Sequence, residues 1–197
     1  MKLVLATQNR DKIREIKQAL KGLSVAVSTL PKSKSRLKET GKTLEQNALQ
    51  KARQVFRQTR LPSLADDSGL EVDFLKGEPG VNSSRFAGKN ATYIRNCVKL
   101  LKKMQPVPVP KRRARFRCVL ALVVSPDKYF LIEGKLSGRI LDKMQGGGGF
   151  GYDPVFYLPS RNKTLAQLTL PEKNRISHRG RALAKLRPRL EKLARKL

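Results

Sequence analysis

The sequence is poor in acidic residues, tryptophan and cysteine. Only 15 of its 197 residues are Asp or Glu, against 43 Lys and Arg, so the formal net charge is +28 and Trp is absent. The two cysteines, Cys97 and Cys118, have neither metal-ligand spacing nor the pattern of a disulfide framework. Cys118 stands in the apolar run CVLALVV, which predicts a buried reduced thiol. We therefore expect a cytoplasmic protein.

Long hydrophobic runs are also missing. No run approaches the roughly 18 apolar residues that cross a bilayer, and the opening MKLVLATQNR has too short an apolar stretch for a secretory signal. These absences exclude a membrane-spanning protein and favour one that is not secreted. The cationic excess predicts attraction to polyanions, including non-specific attraction to nucleic acid, but it indicates neither a fold nor a reaction.

Strand and helix patterns alternate early in the chain and give way to a hairpin pattern later. This order favours a mixed α/β fold, organised as a single domain over residues 1–197. The apolar run LVLA predicts a first strand, and Ile13 and Ile16 at helical spacing predict a helix after it. Helices are also predicted over 43–59, 91–104 and 178–197, strands over 24–30, up to Ala65 and over 153–157, a hairpin from 115–125 and 129–134, and loops over 31–42 and 74–88.

The segment LADDSGLEVD, residues 64–73, contains four of the 15 acidic residues. We expect a strand to end at Ala65 and the acidic stretch to follow as a loop. Two adjacent carboxyl groups repel each other when both are ionised, which costs free energy. A bound Mg²⁺ ion removes this cost. One of the carboxylates can also deprotonate a water molecule. The alternative is an Asx-turn in which Gly69 takes a positive φ. Glu71 and Asp73 are expected to face outward.

Two further turns admit a functional and an ordinary interpretation. TQNRDK follows the first strand and opens a helix, so its backbone N–H groups can bind an anion beside Asn9 and Lys12; alternatively, Asn9 only caps the helix. GGGGFGYD lacks the strand–helix context of a dinucleotide fold. Its backbone admits a flat ligand beside Phe150 and Tyr152; the alternative is a flexible linker.

The only histidine, His178, stands between Ser177 and Arg179 at the start of the last predicted helix. Donors at a helix N-terminus converge on anions or carbonyl oxygens. A lone histidine is usually structural, so the residues alone leave both interpretations open. No nucleophile-elbow motif surrounds any serine, which argues against Ser-His-Asp catalysis.

Taken together and in this order, these segments resemble the inosine/xanthosine triphosphate pyrophosphatase family, the dITP/XTP diphosphatases. The segments are LATQNRDK, NALQKAR, LADDSGLEVD, PGVNSSRFAG, GGFGYDPVF and KNRISHRGRAL. The resemblance covers nearly the whole chain. It implies Mg²⁺-dependent hydrolysis of ITP, dITP and XTP to the monophosphate and pyrophosphate. It also implies an elongated mixed sheet with flanking helices, two lobes around a central nucleotide cleft, and a homodimer.

The resemblance also assigns roles to individual residues. Asp67 would be the catalytic proton acceptor and a Mg²⁺ ligand, supported by Asp66. The substrate-binding residues that it implies are Thr7, Gln8, Asn9, Arg10, Asp11, Lys12 and Lys51 for the phosphates, Phe150, Gly151, Tyr152 and Asp153 for the sugar and base, Lys173, His178 and Arg179 for the 6-oxo purine edge or neighbouring groups, and Ser68 for a further contact with substrate.

The sequence departs from the family pattern at a second metal-binding position. The family has Glu directly before the Asn of the NALQKAR helix, where this chain has Gln46. Glu45 lies about 100° away around the helix, and an amide oxygen is a weaker Mg²⁺ ligand than a carboxylate. The family also tends to have Thr where Gly147 stands.

Two other functions remain open. A degenerate family member would keep the fold and act mainly as a basic nucleic-acid-binding protein, through the cluster at 111–115 and the basic last helix. A related pyrophosphatase for pyrimidine or modified nucleotides would share the reaction class.

Overall fold

The computed structural model describes residues 1–31 and 37–195, over which the chain forms a seven-stranded sheet and α-helices. The predicted loop over 31–42 falls partly outside these residues. The strands are β1 (Lys2–Leu5), β2 (Ala26–Thr29), β3 (Ser63–Val72), β4 (Arg113–Val123), β5 (Tyr129–Ile140), β6 (Phe156–Leu158) and β7 (Lys163–Thr164). The helices are α1 (Arg10–Ala19), α2 (Leu44–Thr59), α3 (Tyr93–Met104), α4 (Leu170–Ile176) and α5 (His178–Ala194).

The sheet is open and mixed, with strand order β2-β1-β3-β4-β5-β6-β7. β1 pairs in parallel with β2 and with β3, where Val4 is opposite Ser63. β6 is antiparallel to both of its neighbours. The short connection from β4 to β5 cannot carry a parallel crossover, so these adjacent strands form the predicted hairpin. The mixed α/β fold is confirmed. No helix within the described ranges is both long and apolar enough to cross a membrane.

The chain divides into two compact units, each with its own apolar core. The first unit contains the described residues of Met1–Asp67, Cys118–Gly134 and His178–Leu197. Its core includes Leu5, Ile16, Leu120 and Leu186. The second unit contains Ser68–Arg117 and Lys135–Ser177, with a core that includes Phe86, Leu100, Val155 and Phe156. β3, β4 and β5 contribute residues to both units.

Side-chain caps fix where the predicted helices begin. The Asn9 carboxamide accepts the backbone N–H groups of Asp11 and Lys12 at the start of α1, and Thr43 caps α2 in the same way. Such caps satisfy donors that have no partner inside the helix. Asn9 therefore has the capping role that the sequence left open. α2 ends at Arg60, which adopts a left-handed conformation with φ 57°.

The acidic segment is not a loop, and the prediction that a strand ends at Ala65 was wrong. β3 runs without interruption for ten residues, from Ser63 to Val72, and contains both adjacent aspartates. Their burial is possible because buried cations neutralise them, a pairing that local sequence does not reveal. Gly69 does not take a positive φ. It is needed because a Cβ there would lie 2.4 Å from the carbonyl oxygen of Gly80.

Glu71 and Asp73 differ from each other. Asp73 is exposed just beyond β3, as expected. The Glu71 carboxylate instead accepts hydrogen bonds from Arg115 at 2.6 Å and Arg117 at 3.1 Å, and its side chain is only 15% exposed. Glu71 therefore faces a pair of cations on β4 rather than open solvent.

Candidate functional site

The turn from β1 into α1 and the start of that helix contain six of the predicted site residues, Thr7 to Lys12, all in the first unit. Gln8 Nε2 donates to the carbonyl oxygen of Leu30 at 2.8 Å, which ties the turn to the end of β2. Asn9 Oδ1 accepts from the backbone of Asp11 at 2.9 Å and of Lys12 at 3.2 Å. The cationic groups here are Arg10, which is exposed, and Lys12, which reaches β3.

Asp66 on β3 is completely enclosed by hydrogen-bond donors. Its side chain has no solvent exposure, and Lys12 Nζ lies 2.5 Å from Oδ1. Arg179 Nε lies 2.7 Å from Oδ2, and the Cys118 thiol donates to the same oxygen at 3.1 Å. Burial alone would raise the pKa of Asp66, but Arg179 and Lys12 more than reverse that effect and hold it well below its ordinary value. Asp66 is therefore a buried carboxylate anion.

Arg179, near the start of α5, joins two carboxylates. Besides Asp66 it contacts Glu15 of α1, with Nη1 at 2.5 Å from Oε2, and both side chains are at most 2% exposed. Burial opposes its charge, yet the two carboxylates raise the pKa of Arg179 well above its ordinary value. The Glu15–Arg179–Asp66 chain thus links α1, α5 and β3 through buried charges.

Asp67, the predicted proton acceptor, belongs to a second chain of charges. Lys51 Nζ lies 2.7 Å from Asp67 Oδ1 and 2.8 Å from Glu39 Oε1, and it also donates to the Asp66 carbonyl oxygen at 2.9 Å. Burial is the largest influence on the pKa of Asp67 and raises it, against the opposing effect of Lys51 and Lys12. Burial lowers the pKa of Lys51, but Asp67 and Glu39 outweigh this and raise it. The ammonium of Lys51 therefore stands between two carboxylates.

This pair of carboxylates fits a magnesium ion that completes its coordination with phosphate and water. Within residues 1–31 and 37–195, no group of three or more His, Cys, Asp or Glu is placed to hold a metal by itself. Mg²⁺ commonly takes only one or two protein carboxylates and keeps waters or substrate phosphates as its other ligands. Asp67 and Glu39 already share one cation, which shows that both oxygens can face a common positive charge.

Gln46, the other predicted metal position, lies in the first turn of α2. Its side-chain oxygen accepts the backbone N–H of Lys42 at 2.7 Å, and its own N–H is capped by Thr43. These contacts therefore hold the residues that precede α2 against its first turn. Metal binding by Gln46 stays a prediction.

In the second unit, Phe150, Asp153 and Lys173 form a compact cluster. Asp153 Oδ2 accepts the backbone N–H of Phe150 at 2.7 Å and a short hydrogen bond from the Lys173 ammonium. That ammonium also lies 4.5 Å from the centre of the Phe150 ring. On the same ring, Tyr93 of α3 packs with its centroid at 5.7 Å. Both Asp153 and Lys173 are buried, so an aromatic face and a cationic donor are held in fixed positions.

Buried polar contacts hold the backbone around this cluster. Tyr152 donates its hydroxyl to the carbonyl oxygen of Ser83 at 2.9 Å. The Cys97 thiol donates to the carbonyl oxygen of Gly151 at 3.3 Å, and burial raises the pKa of Cys97 to about 12. Both cysteines are buried thiols that form no disulfide, as predicted for Cys118.

The glycine run at 146–149 lies close to other parts of the second unit, so it is not simply a flexible linker. Gly149 has φ 69°, and a Cβ there would lie 2.2 Å from the Asp153 carboxylate. Gly146 also has a positive φ, and a Cβ there would lie 2.7 Å from the backbone of Ala166. Gly147 is different, because a side chain at that position would meet nothing within 4 Å. A larger residue such as threonine therefore has room there.

The remaining predicted residues are distributed over both units. His178 is buried at the first position of α5, where a Cβ on Gly134 would lie 2.1 Å from the His178 carbonyl oxygen. Ser68 is half-buried in β3. The structure thus gathers Thr7–Lys12, Lys51, Asp67 and Arg179 in the first unit, and Phe150–Asp153 with Lys173 in the second.

Sequence reasoning missed three residues of these clusters. Glu39 and Glu15 each pair with a predicted site cation, and Tyr93 packs on Phe150. The scarcity of acids was a usable signal for the first two, because each carboxylate in so cationic a chain has many possible partners. No sequence feature distinguishes Tyr93 from an ordinary helix residue.

Comparisons with known proteins show which family the chain resembles along nearly its whole length. The model of the family described as the Ham1 family matches residues 3–189. A dITP/XTP pyrophosphatase of Thermoanaerobacter pseudethanolicus is 50% identical over 189 residues, which is 95% of each chain. One from Geobacter sulfurreducens is 47% identical over 96% of each chain. The structure of a HAM1 protein from Coxiella burnetii superposes with a TM-score of 0.89 at 42% identity, covering 98% of this chain and 99% of that one.

Proposed function

The chain belongs to the Ham1 family, and we propose that it hydrolyses deaminated purine nucleoside triphosphates, namely ITP, dITP and XTP, to the monophosphate and pyrophosphate. The observation that carries this proposal is the adjacent pair Asp66 and Asp67, ionically paired with Lys12, Lys51 and Arg179 in a chain with few acids. A carboxylate beside several cations suits a reaction in which a polyanion is attacked by water.

Cations of the first unit would hold the triphosphate. Lys12 and Lys51 are each anchored on Asp66, Lys12 through its carboxylate and Lys51 through its carbonyl oxygen. An ammonium group held in a fixed position neutralises phosphate charge, and it does not have to move when charge develops on the leaving group. The other phosphate contacts come from the Thr7–Lys12 turn. Arg179 reaches this turn through Asp66, and direct contact of Arg179 with substrate remains part of the proposal.

Asp67 would take the proton of the attacking water. Water attacks the α-phosphorus, the bond from that phosphorus to the α–β bridging oxygen breaks, and pyrophosphate departs with the bond's electron pair. The water proton passes to an Asp67 oxygen. Because burial raises the pKa of Asp67, its carboxylate is a stronger base than an exposed one, which favours this transfer.

We further propose a requirement for Mg²⁺, held by Asp67 with Glu39. When bound, the ion would neutralise the oxygens of the phosphate chain and of the departing pyrophosphate. The proposal is supported by the contact of Glu39 with Lys51, which Asp67 shares. Metal binding by Gln46, which the sequence suggests, stays a separate prediction.

Residues of the second unit would recognise the base. Phe150 offers a ring for stacking, and Lys173 lies over the same ring. A donor aimed at the 6-oxo group is left unpaired by the 6-amino group of adenine, and this penalises ATP. Guanine shares the 6-oxo group, so discrimination against GTP depends on its 2-amino group. Ser68, Tyr152, Asp153 and His178 complete the proposed substrate contacts.

The experiment that tests this function is a nucleotide panel with and without Mg²⁺, with pyrophosphate as the product measured. We expect ITP, dITP and XTP to release pyrophosphate at least about 100-fold faster, by kcat/KM, than ATP or GTP, the ratio that an unmatched polar group commonly produces. Removal of the metal should abolish release. If no purine triphosphate yields pyrophosphate while a pyrimidine triphosphate does, the related pyrimidine activity replaces this proposal.

Replacing Gln46 by Glu is expected to lower the Mg²⁺ concentration needed for half-maximal activity, by about threefold to tenfold. The reason is that a carboxylate binds Mg²⁺ more strongly than an amide oxygen, provided that the first turn of α2 faces the ion. Activity is measured against Mg²⁺ concentration at saturating ITP, with Gln58→Glu, at an exposed position on the same helix, as the control for added charge. An unchanged Mg²⁺ dependence would show that Gln46 only secures the turn.

We propose in addition that the protein is a homodimer and that it is cytoplasmic. The resemblance to the family supports the homodimer, and sedimentation equilibrium measures the oligomeric state. The cytoplasmic location is supported by two buried thiols that form no disulfide. A main role as a degenerate nucleic-acid-binding protein is not favoured, because the relatives named as dITP/XTP pyrophosphatases match nearly the whole chain.

A further inference from the structure

Two arginines of α2, Arg53 and Arg57, and the residue that ends this helix, Arg60, border a cationic groove, and the proposed reaction assigns no role to any of the three. Arg53 and Arg57 are four residues apart, so successive helical turns bring them to the same side, and Arg60 follows the last helical residue in a left-handed conformation. All three belong to the first unit. They border a depression of about 490 Å³, whose other lining residues are Phe56, Val123 and Pro126.

The groove extends further along the helix. An adjoining depression of about 330 Å³ has the same Arg53 and Arg57 in its lining, and its other lining residues are Thr40, Gly41, Gln46, Leu49 and Gln50. The two depressions therefore follow α2 with arginines along their common edge. Both volumes lie within or near the range of small-ligand and peptide pockets. We call the combined surface, bordered by Arg53, Arg57 and Arg60, the arginine groove.

No acidic side chain neutralises the arginine groove. Over the part of the chain that the structure describes, none of the three guanidinium groups forms an ion pair with a carboxylate. Arg53 instead contacts an aromatic ring, its Cζ lying 5.1 Å from the centre of the Tyr129 ring. The Tyr129 side chain is 41% exposed. The surface thus combines three cations with an accessible aromatic ring.

The position of these arginines at the end of α2 does not explain the groove by itself. A cation in the last turn of a helix interacts favourably with the helix dipole, which accounts for Arg57 and Arg60. This effect falls off within one turn, and Arg53 lies six residues before the last residue of α2. Nor does it account for the apolar lining between the side chains.

We propose that the arginine groove binds the phosphate backbone of a single-stranded nucleic acid. From Arg53 to Thr59, the last residue of α2, the helix rises about 9 Å, at about 1.5 Å per residue, and Arg60 follows directly. A row of this length matches several consecutive phosphates better than it matches one phosphate group. Non-specific binding of single strands combines such a cationic groove with an aromatic side chain on which a base stacks. Tyr129 supplies that ring.

Binding is measured by the fluorescence anisotropy of a labelled oligothymidylate of about 16 nucleotides, between about 50 and 200 mM salt. The test variant carries Arg53→Gln, Arg57→Gln and Arg60→Gln. The matched control carries Arg113→Gln, Arg139→Gln and Arg161→Gln, which remove the same charge from exposed positions of the second unit. Melting temperatures establish that both variants fold.

The groove variant should bind at least about tenfold more weakly, and its dependence of log K on log salt should be shallower by about 2, since each lost phosphate contact removes about 0.7. The control should change the affinity less than about threefold. The single variants Arg57→Gln and Arg60→Gln, each at an exposed position, should each show about one third of the slope change of the triple variant. They replace the triple variant in the test if it is unstable.

Three outcomes would overturn this proposal. Equal weakening of both triple variants would mean that binding follows net charge alone. Absence of binding at about 50 mM salt would exclude the groove as a nucleic-acid site. Displacement of the oligonucleotide by an equal concentration of pyrophosphate would identify a small-anion site instead. Because binding is measured without hydrolysis, and the groove variant is expected to release pyrophosphate from ITP at the parent rate, this result is independent of the proposed activity.

Discussion

Replacing Asp67 by Asn is expected to lower the rate of pyrophosphate release from ITP by about a thousandfold or more. The amide cannot accept the water proton, and a positioned base contributes about 10² to 10⁴ in rate. If Asp67 also holds Mg²⁺, as proposed, the loss of that ligand adds to this effect. The fold should survive, because Asn has nearly the same shape and Lys51 keeps its contact with Glu39. Initial rates and thermal melts measure the two quantities.

Asp73→Asn is the matched control, since Asp73 lies in the same acidic segment but is exposed. It should retain the parent rate. A second readout is the pH dependence of kcat/KM in the parent. Because burial raises the pKa of Asp67, the rate should fall as the pH drops through a value above that of an ordinary aspartate. An Asp67→Asn protein with more than a tenth of the parent activity would remove Asp67 from the role of base.

Replacing Arg179 by Met is expected to destabilise the protein by about 3–5 kcal/mol, because it leaves the buried carboxylates of Asp66 and Glu15 without their shared cation. Urea unfolding at neutral pH measures the change in the free energy of unfolding. Lys192→Met, at an exposed position of the same helix, is the control and should stay within about 0.5 kcal/mol of the parent. Equal stability of the two variants would contradict a structural role for the Glu15–Arg179–Asp66 chain.

The pH dependence of this loss has a definite sign. In the parent, the pKa of Asp66 is well below its ordinary value, so its pairing stabilises the fold above the unfolded-state pKa of about 3.9. That contribution declines as the pH falls towards the lowered pKa of the folded state. The variant lacks the part of this contribution that Arg179 supplies, although Lys12 still pairs with Asp66. The difference between variant and parent should therefore be largest above about pH 4 and smaller in more acidic solution.

The sequence was sufficient for elements whose signals are local. The beginning of α2 follows from Thr43 and the helical spacing after it, and the β4–β5 hairpin follows from two apolar runs separated by a short turn. β3 was predicted incorrectly because its acidic residues resemble a loop when considered alone. Their burial depends on Lys12, 54 positions away from Asp66, and on Arg179, 113 positions away. No local pattern contains that information.

The sequence names candidate site residues, but it does not give the contacts between them. Family resemblance named Lys12, Lys51 and Asp67, and the structure brings all three into one unit. It gave no indication of Glu39, which lies in a polar segment without periodicity. The partner of Arg179 was also unknown, because a buried ion pair is fixed by how helices pack and not by either residue's neighbours in sequence.

The bridge of Lys51 between Asp67 and Glu39 has a consequence for how the site is built. Its ammonium is a tethered counter-ion, so charge balance in the acidic pair is provided by the chain itself. The two carboxylates are therefore held together and neutralised in the fold itself, without a metal ion. Binding of the proposed Mg²⁺ would then be an exchange of one cation for another, in which Lys51 would leave the carboxylate oxygens and become available to the phosphates of the substrate.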